Sequence, residues 1–456
     1  MLNLKQSILW MSLVACSLMM AAGHARAGQD YPAGYYSSWG NQGDGTYDNP
    51  VLNADYPDSD VVRRGDTYYM ISSTVHYSPG MIILKSRDMV SWAIVGHVFD
   101  KLTWQDKYDP DHMSGYKHGV WAGDLAWQDG HWFCYFIDFK SGLYMTRSKT
   151  GDIAGEWEEP ICMLKKKNWT DPAVYWDEED HQAYLVCNFG NVEGHDGHEI
   201  RLYKMSWDGR RLTDEGTAIY YGNGAEAAKI RRINDTWYIP LVQWMENDRK
   251  QLILRSKTDS IYGPYDKKIV MEMGNDIDRS ACQGSYMQAD DGSWWYIHQL
   301  VQNGSGRFLG RQQALEPVTW KDGWPMPGKD IDDDGINEPV WSGNMPNPGH
   351  PIAAPQSDDD FNDDELSPQW EWNHNPIEEK WSLTERPGWL RLKAPLPVGK
   401  GGFWKAPNTI SQRIMGWRLS IATAKLDVSG MEPGQVGGLC HHSGVYFLLG
   451  VRAEED

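Results

Sequence analysis

The sequence predicts an all-β protein, a five-bladed β-propeller followed by a β-sandwich, and three observations predict it. One unit recurs five times along the chain. Each copy consists of short apolar and aromatic runs separated by turn formers, and no stretch of the 456 residues carries long helical periodicity. A break rich in proline, glycine and aspartate then separates the repeats from a differently patterned tail.

The copies start at Asp58, Val120, Asp171, Glu226 and Gln283, 51 to 62 residues apart. The first reads Ser59-Asp60-Val61-Val62, a turn at Arg64-Gly65-Asp66, Tyr68-Tyr69-Met70-Ile71, then Ile82 to Ser86. The second has Val120-Trp121-Ala122-Gly123, a turn at Gln128-Asp129-Gly130, Trp132 to Phe136 and Leu143 to Ser148. The third begins Asp171-Pro172-Ala173-Val174-Tyr175, turns over Asp177 to Asp180, and continues with Ala183 to Val186 and Ile200 to Tyr203. The fourth turns at Asn234-Asp235 before Trp237-Tyr238-Ile239 and Leu252 to Ser256. The fifth turns at Asp290-Asp291-Gly292 and has Trp294 to Ile297 before Phe308-Leu309-Gly310-Arg311. Runs of this length with turns at this spacing make four-stranded sheets, and five such sheets make a propeller over residues 28–343.

Residues 344–358 read as a linker, from Asn344-Met345-Pro346-Asn347-Pro348 onward. Residues 359–456, with Trp370-Glu371-Trp372 and Leu390-Arg391-Leu392, read as a concanavalin-like β-sandwich whose strand set stops short of closure, as in a truncated domain. At the other end, Lys5 precedes the apolar stretch Ile8 to Ala22 and the small-residue exit Ala25-Arg26-Ala27, the pattern of a secretory signal peptide over residues 1–27. The expected location is periplasmic or extracellular. Leu13-Val14-Ala15-Cys16 offers the alternative of a lipid anchor at Cys16. No stretch reaches the length of a membrane-spanning helix.

The net charge is −20, and loss of Lys5 and Arg26 with the leader takes it to −22. Phosphate binding needs clustered lysine and arginine, so nucleic acid is excluded as a partner and a neutral glycan suits the balance. The cysteines outside the leader (Cys134, Cys162, Cys187, Cys282, Cys440) are odd in number and unpaired in spacing, and give neither a zinc site nor a disulfide framework. The 24 Trp and 23 Tyr against 9 Phe weight the aromatic content toward rings with a polar edge, most of which pack between sheets.

In a propeller the innermost strand of each blade starts near the axis, so residues at equivalent starts converge. Three starts carry acids: Asp58 in Tyr56-Pro57-Asp58-Ser59, Asp171 in Thr170-Asp171-Pro172-Ala173, and Glu226 in Ala225-Glu226-Ala227-Ala228. Clustered carboxyls raise one another's pKa, and glycosidic bond cleavage needs a protonated carboxyl beside an ionised one. Asp60 and Asp124 lie inside strand patterns and read as orienting residues. Asp330-Ile331-Asp332-Asp333-Asp334-Gly335 matches the first half of a calcium loop but has Trp341 where the closing glutamate belongs, so it reads as a solvated acidic turn.

With Asn49-Pro50-Val51-Leu52, Ala54 to Asp58, Gly119-Val120-Trp121-Ala122, Gly310-Arg311 and Leu315-Glu316-Pro317-Val318-Thr319-Trp320-Lys321-Asp322-Gly323-Trp324-Pro325, the chain resembles glycoside hydrolase family 43. The tail resembles the sandwich of its β-xylosidase and α-L-arabinofuranosidase branch. The resemblance implies Asp58 as general base, Glu226 as general acid, Asp171 as the residue that orients and tunes the acid, Arg311 on the sugar, and His76 and Trp121 lining the pocket. It implies inversion, with base and acid roughly 6.5 to 9.5 Å apart. Three positions depart from the family pattern: Ala227 stands where glycine commonly follows the acid, Gly123 replaces a proline, and Cys282 replaces a histidine that in many members helps hold a central calcium through water. No cofactor is required on this reading, and Cys282 weighs against an axial calcium.

Two functions follow. The first is an exo-acting hydrolase that releases terminal α-L-arabinofuranosyl or β-D-xylosyl units from hemicellulose or pectic side chains of plant cell walls, with arabinofuranose the favoured sugar. The second, motivated by the three departures, is a propeller that binds carbohydrate without cleaving it.

Overall fold

The computed structural model describes residues 8–16, 39–273 apart from 191, 193, 196 and 247, 279–302, 310–394, 401–413, 419–442 and 446–455. They fall into two compact units, Trp39–Gly416 and a second made of Met1–Ser38 with Trp417–Asp456.

The larger unit is built on five antiparallel four-stranded sheets, each in simple chain order. Blade 1 is Asp60–Arg64, Thr67–Ser72, Ile82–Ser86 and Ala93–His97. Blade 2 is Val120–Gln128, His131–Asp138, Gly142–Arg147 and Ile161–Leu164. Blade 3 is Trp169–Asp177, Gln182–Phe189, His198–Met205 and Thr217–Gly222. Blade 4 is Arg231–Ile233, Thr236–Met245, Asp248–Ser256 and Tyr265–Met271, and blade 5 is Arg279–Gln288, Trp294–Gln302, Gln312–Lys321 and Trp324–Pro327. The third strand of blade 5 thus begins just after the run assigned to it from sequence: Gly310 and Arg311 precede it outside any strand, and Phe308 and Leu309 lie outside the described residues.

The strands read as nearly continuous apolar runs because both faces of each blade are buried. In His131–Asp138 the side chains alternate between two neighbours. Trp132, Cys134 and Phe136 pack with Ile71 and Ile83 of blade 1, whereas Phe133 and Tyr135 pack with Val174 and Leu185 of blade 3. The same holds around the ring: Val186 and Leu202 meet Ile239 and Leu254 between blades 3 and 4, Ile253 and Val270 meet Tyr286 and Tyr296 between blades 4 and 5, and Val61 and Met70 meet Ile297 and Leu315 between blades 5 and 1. Each fully buried side chain of this kind contributes about 1.5–3 kcal/mol, and the layers are distributed evenly around the ring.

Blade 5 is tied to the chain that precedes blade 1. Leu52 and Gln313 exchange backbone hydrogen bonds at 3.1 and 3.2 Å, Leu315 N donates to Asn49 Oδ1 at 2.8 Å, and Thr46–Asp48 pairs with Ser342–Asn344. Beyond the linker, Glu371–Asn373 pairs with Ile410–Ser411 and with Tyr77–Ser78. In the smaller unit Ile8–Cys16 pairs with Leu419–Asp427, and Val436–His442 pairs with Tyr446–Arg452. The remainder of the leader motif lies outside the described residues. No helix among them is long and apolar enough to cross a membrane.

At the axis a buried ammonium joins the inner strands. Lys229 Nζ lies 2.8 Å from Asp60 Oδ1 and 2.7 Å from Asp124 Oδ1, with all three residues at most 5% exposed. Asp60 Oδ2 accepts from Leu125 N at 2.9 Å, Asp60 Oδ1 accepts from Ser285 Oγ at 2.8 Å, and Asp124 Oδ2 accepts from Val174 N at 2.9 Å. The trio therefore touches every blade. Burial opposes the charge on Asp60, but Lys229 outweighs it and holds that carboxyl below its ordinary range. Burial and the neighbouring Asp60 push Asp124 up to about 6.

Removing the ammonium leaves two carboxylates buried without a cation, a change that costs about 3–5 kcal/mol where one partner of a buried ion pair is deleted. Lys229→Met is expected to lose stability on that scale at pH 8 and less at pH 5. Without Lys229 both aspartates have raised folded-state pKa values, so the unfolded chain releases their protons first and stability falls as pH rises. Urea denaturation of wild type and variant at the two pH values measures this. An equal loss at both would show that packing, not charge, is what Lys229 supplies.

Candidate active site

The three acids singled out at repeat starts come together at one end of the axis, and the backbone there is bent to present them. Asp58 and Asp171 have φ of 54° and 51°, and Ala227, next to Glu226, has 57°. This left-handed region costs a non-glycine residue about 1–2 kcal/mol and recurs at functional sites, where surrounding bonds hold it in place. Ala227 therefore takes the conformation that the glycine commonly found there adopts without strain, and the peptide keeps its direction.

Asp58 sits in a strongly polar setting. Its backbone N–H donates to Gln299 Oε1 at 2.8 Å, Ser73 Oγ donates to Oδ2 at 2.8 Å, and Arg311 Nη1 lies 2.6 Å from Oδ1. The carboxylate thus meets one guanidinium and two neutral donors, the second being Gln299 Nε2, 3.5 Å from Oδ1. Arg311 is itself placed by its N–H, which donates to Asp55 Oδ1 at 2.8 Å.

Asp171 is in the opposite situation. Burial, followed by the charges of Glu226 and Asp58, pushes its carboxyl up to about 7. Its Oδ2 accepts from Ala227 N at 3.1 Å, and the Asn188 carboxamide, turned with its nitrogen inward, donates to the same oxygen at 2.9 Å. Asp171 thereby grips the peptide that carries Glu226.

Glu226 is held by paired backbone hydrogen bonds with Val242, at 2.9 and 3.0 Å. Burial raises its carboxyl and Asp58 adds to the effect, against Arg249, whose Nη1 is 3.0 Å from Oε1. Arg249 also lies over the Trp244 ring, 5.1 Å from its centroid, so its guanidinium is fixed on a plane beside the acid.

The remaining residues singled out from sequence are less central. His76 is 8% exposed in a cluster of rings, 4.2 Å from Tyr77, 4.5 Å from Tyr116 and 4.9 Å from His374 between centroids. Trp121 stacks on Phe139 at 4.1 Å and 8° and donates to Lys117 O at 3.2 Å. Asp60 and Asp124 bind backbone amides of neighbouring blades, as orienting residues do.

Arg249, Ser73, Gln299, Asn188 and Lys229 were not singled out from sequence. Arg249, Gln299 and Asn188 sit toward the ends of strands where nothing in their neighbours marks them. Lys229 had a signal that could have found it, a cation three residues after a candidate acid in an apolar stretch.

Between the two inward carboxylates of Asp60 and Asp124 the cation is the Lys229 ammonium. The side chain of Cys282 lies outside the described residues. Away from the axis, Asp330, Asp332 and Glu338 place carboxylate oxygens within 4.8 Å of one another, with Glu338 Oε2 accepting from Ile331 N at 2.8 Å. Glu338, rather than the position of Trp341, brings a third carboxylate to that loop.

Comparison with known proteins identifies the family. The model of glycosyl hydrolases family 43 matches residues 47–325, and that of the β-xylosidase C-terminal concanavalin A-like domain matches residues 358–456. A β-xylosidase of Formosa agariphila is 51% identical over 98% of this chain and 81% of its own length. A non-reducing end α-L-arabinofuranosidase of Bacteroides ovatus is 28% identical over 76% of this chain and 65% of its own length. The crystal structure of a family 43 protein from Bacillus licheniformis superposes with a TM-score of 0.67 at 25% identity, covering 81% of this chain and 71% of that one. A propeller carrying three converging acids, matched by the family model over more than half its length, makes this chain a glycosidase that belongs to glycosyl hydrolase family 43.

Proposed function

We propose that the enzyme removes terminal β-D-xylosyl or α-L-arabinofuranosyl units from plant cell-wall hemicellulose or pectic side chains by single displacement with inversion. Sequence alone favoured arabinofuranose. The 51% identity to a β-xylosidase moves xylose ahead.

The observation that carries the reading is the contrast between environments. Asp58, held by Arg311 and two neutral donors, suits a general base that takes a proton from water. Glu226, half-buried beside a second carboxyl, suits a general acid that protonates the leaving oxygen. Asp171 holds the Ala227 amide, so it orients the peptide that carries the acid, and its own raised carboxyl adds little fixed charge beside it. Arg311, bound to the base, reaches the sugar hydroxyls from the same side. These groups supply the acid, base and positioning that the reaction needs. The raised carboxyls of Asp171 and Glu226 support catalysis over carbohydrate binding alone. The leader-like residues 1–27 support export to the periplasm or beyond, which an exported protein starting near Gly28 would bear out and an intact amino terminus would contradict.

Asp58→Asn is expected to lower kcat by about a thousandfold on both p-nitrophenyl β-D-xyloside and xylobiose. Glu226→Gln is expected to do the same on xylobiose and much less on the nitrophenyl substrate, whose leaving group needs little protonation. Equal losses on the two substrates would remove Glu226 from the acid role. Product configuration, read by proton NMR, tests inversion.

Arg249 opposes the raised pKa of Glu226, so Arg249→Gln should raise it further. The basic limb of the kcat/KM profile then moves to higher pH, because the acid keeps its proton longer. An unmoved limb would separate Arg249 from the ionisation that governs the rate. Exhaustive chelation is expected to leave kcat/KM unchanged, since Lys229 supplies the axial cation.

A further inference from the structure

The overall charge of the chain favours a neutral substrate, but charge is not spread evenly over the end of the propeller that carries the acids. Two turns meet there at blade 2. One follows Asp138, which pairs with Val120 at the start of the inner strand, and holds Lys140. The other follows Leu164, which pairs with Leu143, and holds Lys165, Lys166 and Lys167 immediately before the strand of Asp171. Gly142 brings them together, since the Cα of Lys165 lies 3.3 Å from the point where a Cβ at Gly142 would stand. Lys117 joins them from the segment before the inner strand.

All five lysines are exposed, and among the described residues none of them makes an ion pair with a carboxylate. The carboxylate nearest in sequence to Lys140, Asp138, is buried and bound to Lys107, Tyr108, Trp104 and Ser141. Lys140 Nζ instead lies 3.0 Å from His118 Nε2. Burial, then Lys140, Lys107 and Lys117, hold His118 below its usual pKa, so the imidazole is the neutral acceptor that this contact needs. The His118 ring continues the stack of Phe139 and Trp121, 5.4 Å from Phe139 at 16°. Lys166 Nζ stands 5.9 Å above the ring of Trp169, two residues before Asp171. Like charges grouped without counter-charges add nothing to folding, and in a chain of net charge −20 they create a local field of opposite sign beside the site.

We propose that this rim of blades 2 and 3 is a subsite for an anionic group, a uronate carboxylate or a sulfate ester, on the glycan beyond the sugar being released. The proposal rests on the glycosidase reading above and adds to it the chemistry of the substrate. Ammonium groups on flexible stems accept either anion without the planar fork that would select one. The attraction acts between exposed charges, so it fades with salt.

The test compares the full-length wild type with the variant Lys140→Gln/Lys165→Gln/Lys166→Gln/Lys167→Gln on three matched xylo-oligosaccharides: neutral, uronate-bearing and sulfate-bearing. In the variant KM is expected to rise about tenfold on the acidic substrates, with kcat unchanged and the neutral substrate unaffected. In the wild type the preference for acidic over neutral substrate should collapse between low and high salt, a reading that does not depend on the variant folding. A loss confined to the uronate or to the sulfate substrate assigns the anion. Equal KM ratios in both proteins, with no salt dependence in the wild type, would overturn the subsite. Failure to cleave neutral xylosides overturns the glycosidase reading instead, and isothermal titration with the two acidic oligosaccharides then still decides the subsite, since binding that the variant lacks upholds it and identical binding overturns it.

Discussion

Placing one ammonium between two carboxylates at the propeller axis constrains all five blades at once. Lys229 comes from the segment entering blade 4, Asp60 from blade 1 and Asp124 from blade 2, while the other oxygens of the acids accept from amides of blades 2 and 3 and Asp60 Oδ1 accepts in addition from the hydroxyl of Ser285 in blade 5. Apolar layers between blades are non-directional and tolerate small rotations. A charge buried beyond the reach of water does not, because moving it away from its partners leaves each one desolvated and unpaired. The inner strands are therefore fixed in register where hydrophobic packing alone would leave them loosely specified. Glu226 stands three residues from Lys229, so the same anchor sets where the acid begins.

The reactive end of the axis is then tuned by what each carboxyl touches rather than by where it lies. Asp58 and Asp171 occupy equivalent places in their blades, with almost the same backbone twist. One faces Arg311, Ser73 and Gln299, and the other faces the charge of Glu226 with two amide donors to offset it. Equal positions with unequal neighbours give one carboxyl held by a guanidinium and another pushed up to about 7. Repetition supplies convergence, and the departures from repetition supply the chemistry.

Much of this was legible in the sequence because it repeats. Five copies in phase announce five blades, and acids at three equivalent starts announce a cluster without any knowledge of distances. What escaped were partners that depend on folding distant segments together. Arg249 is one cation among many until the hairpin Thr236–Asp248 folds it over Glu226. Gln299 lies 241 positions from Asp58. The third strand of blade 5 was placed four residues too early, because the apolar pair Phe308-Leu309 was read as its start, whereas the strand runs Gln312–Lys321. The departure at Ala227 looked consequential as a change of residue type and is not so as a change of conformation, because φ is what the site requires and alanine supplies it at a cost.

The segment beyond the linker enters the same argument. Arg413 is buried, with Nη2 3.0 Å from Glu371 Oε1, and it donates to Asp55 O at 2.8 Å and to Ser73 O at 3.2 Å. Those two residues are the ones that hold the Arg311 backbone and the Asp58 carboxylate. A guanidinium from residue 413 thus braces both sides of the base, while His374 packs its ring against His76. In a chain with 63 acids and 43 bases, Lys229, Arg249, Arg311 and Arg413 are cations fixed on acids at or beside the axis. Each holds a negative group in a place that solvent and the other carboxylates would otherwise make unfavourable. The described residues up to Arg413 belong to the same compact unit as the propeller, and Arg413 and His374 reach the site's supports from beyond the linker.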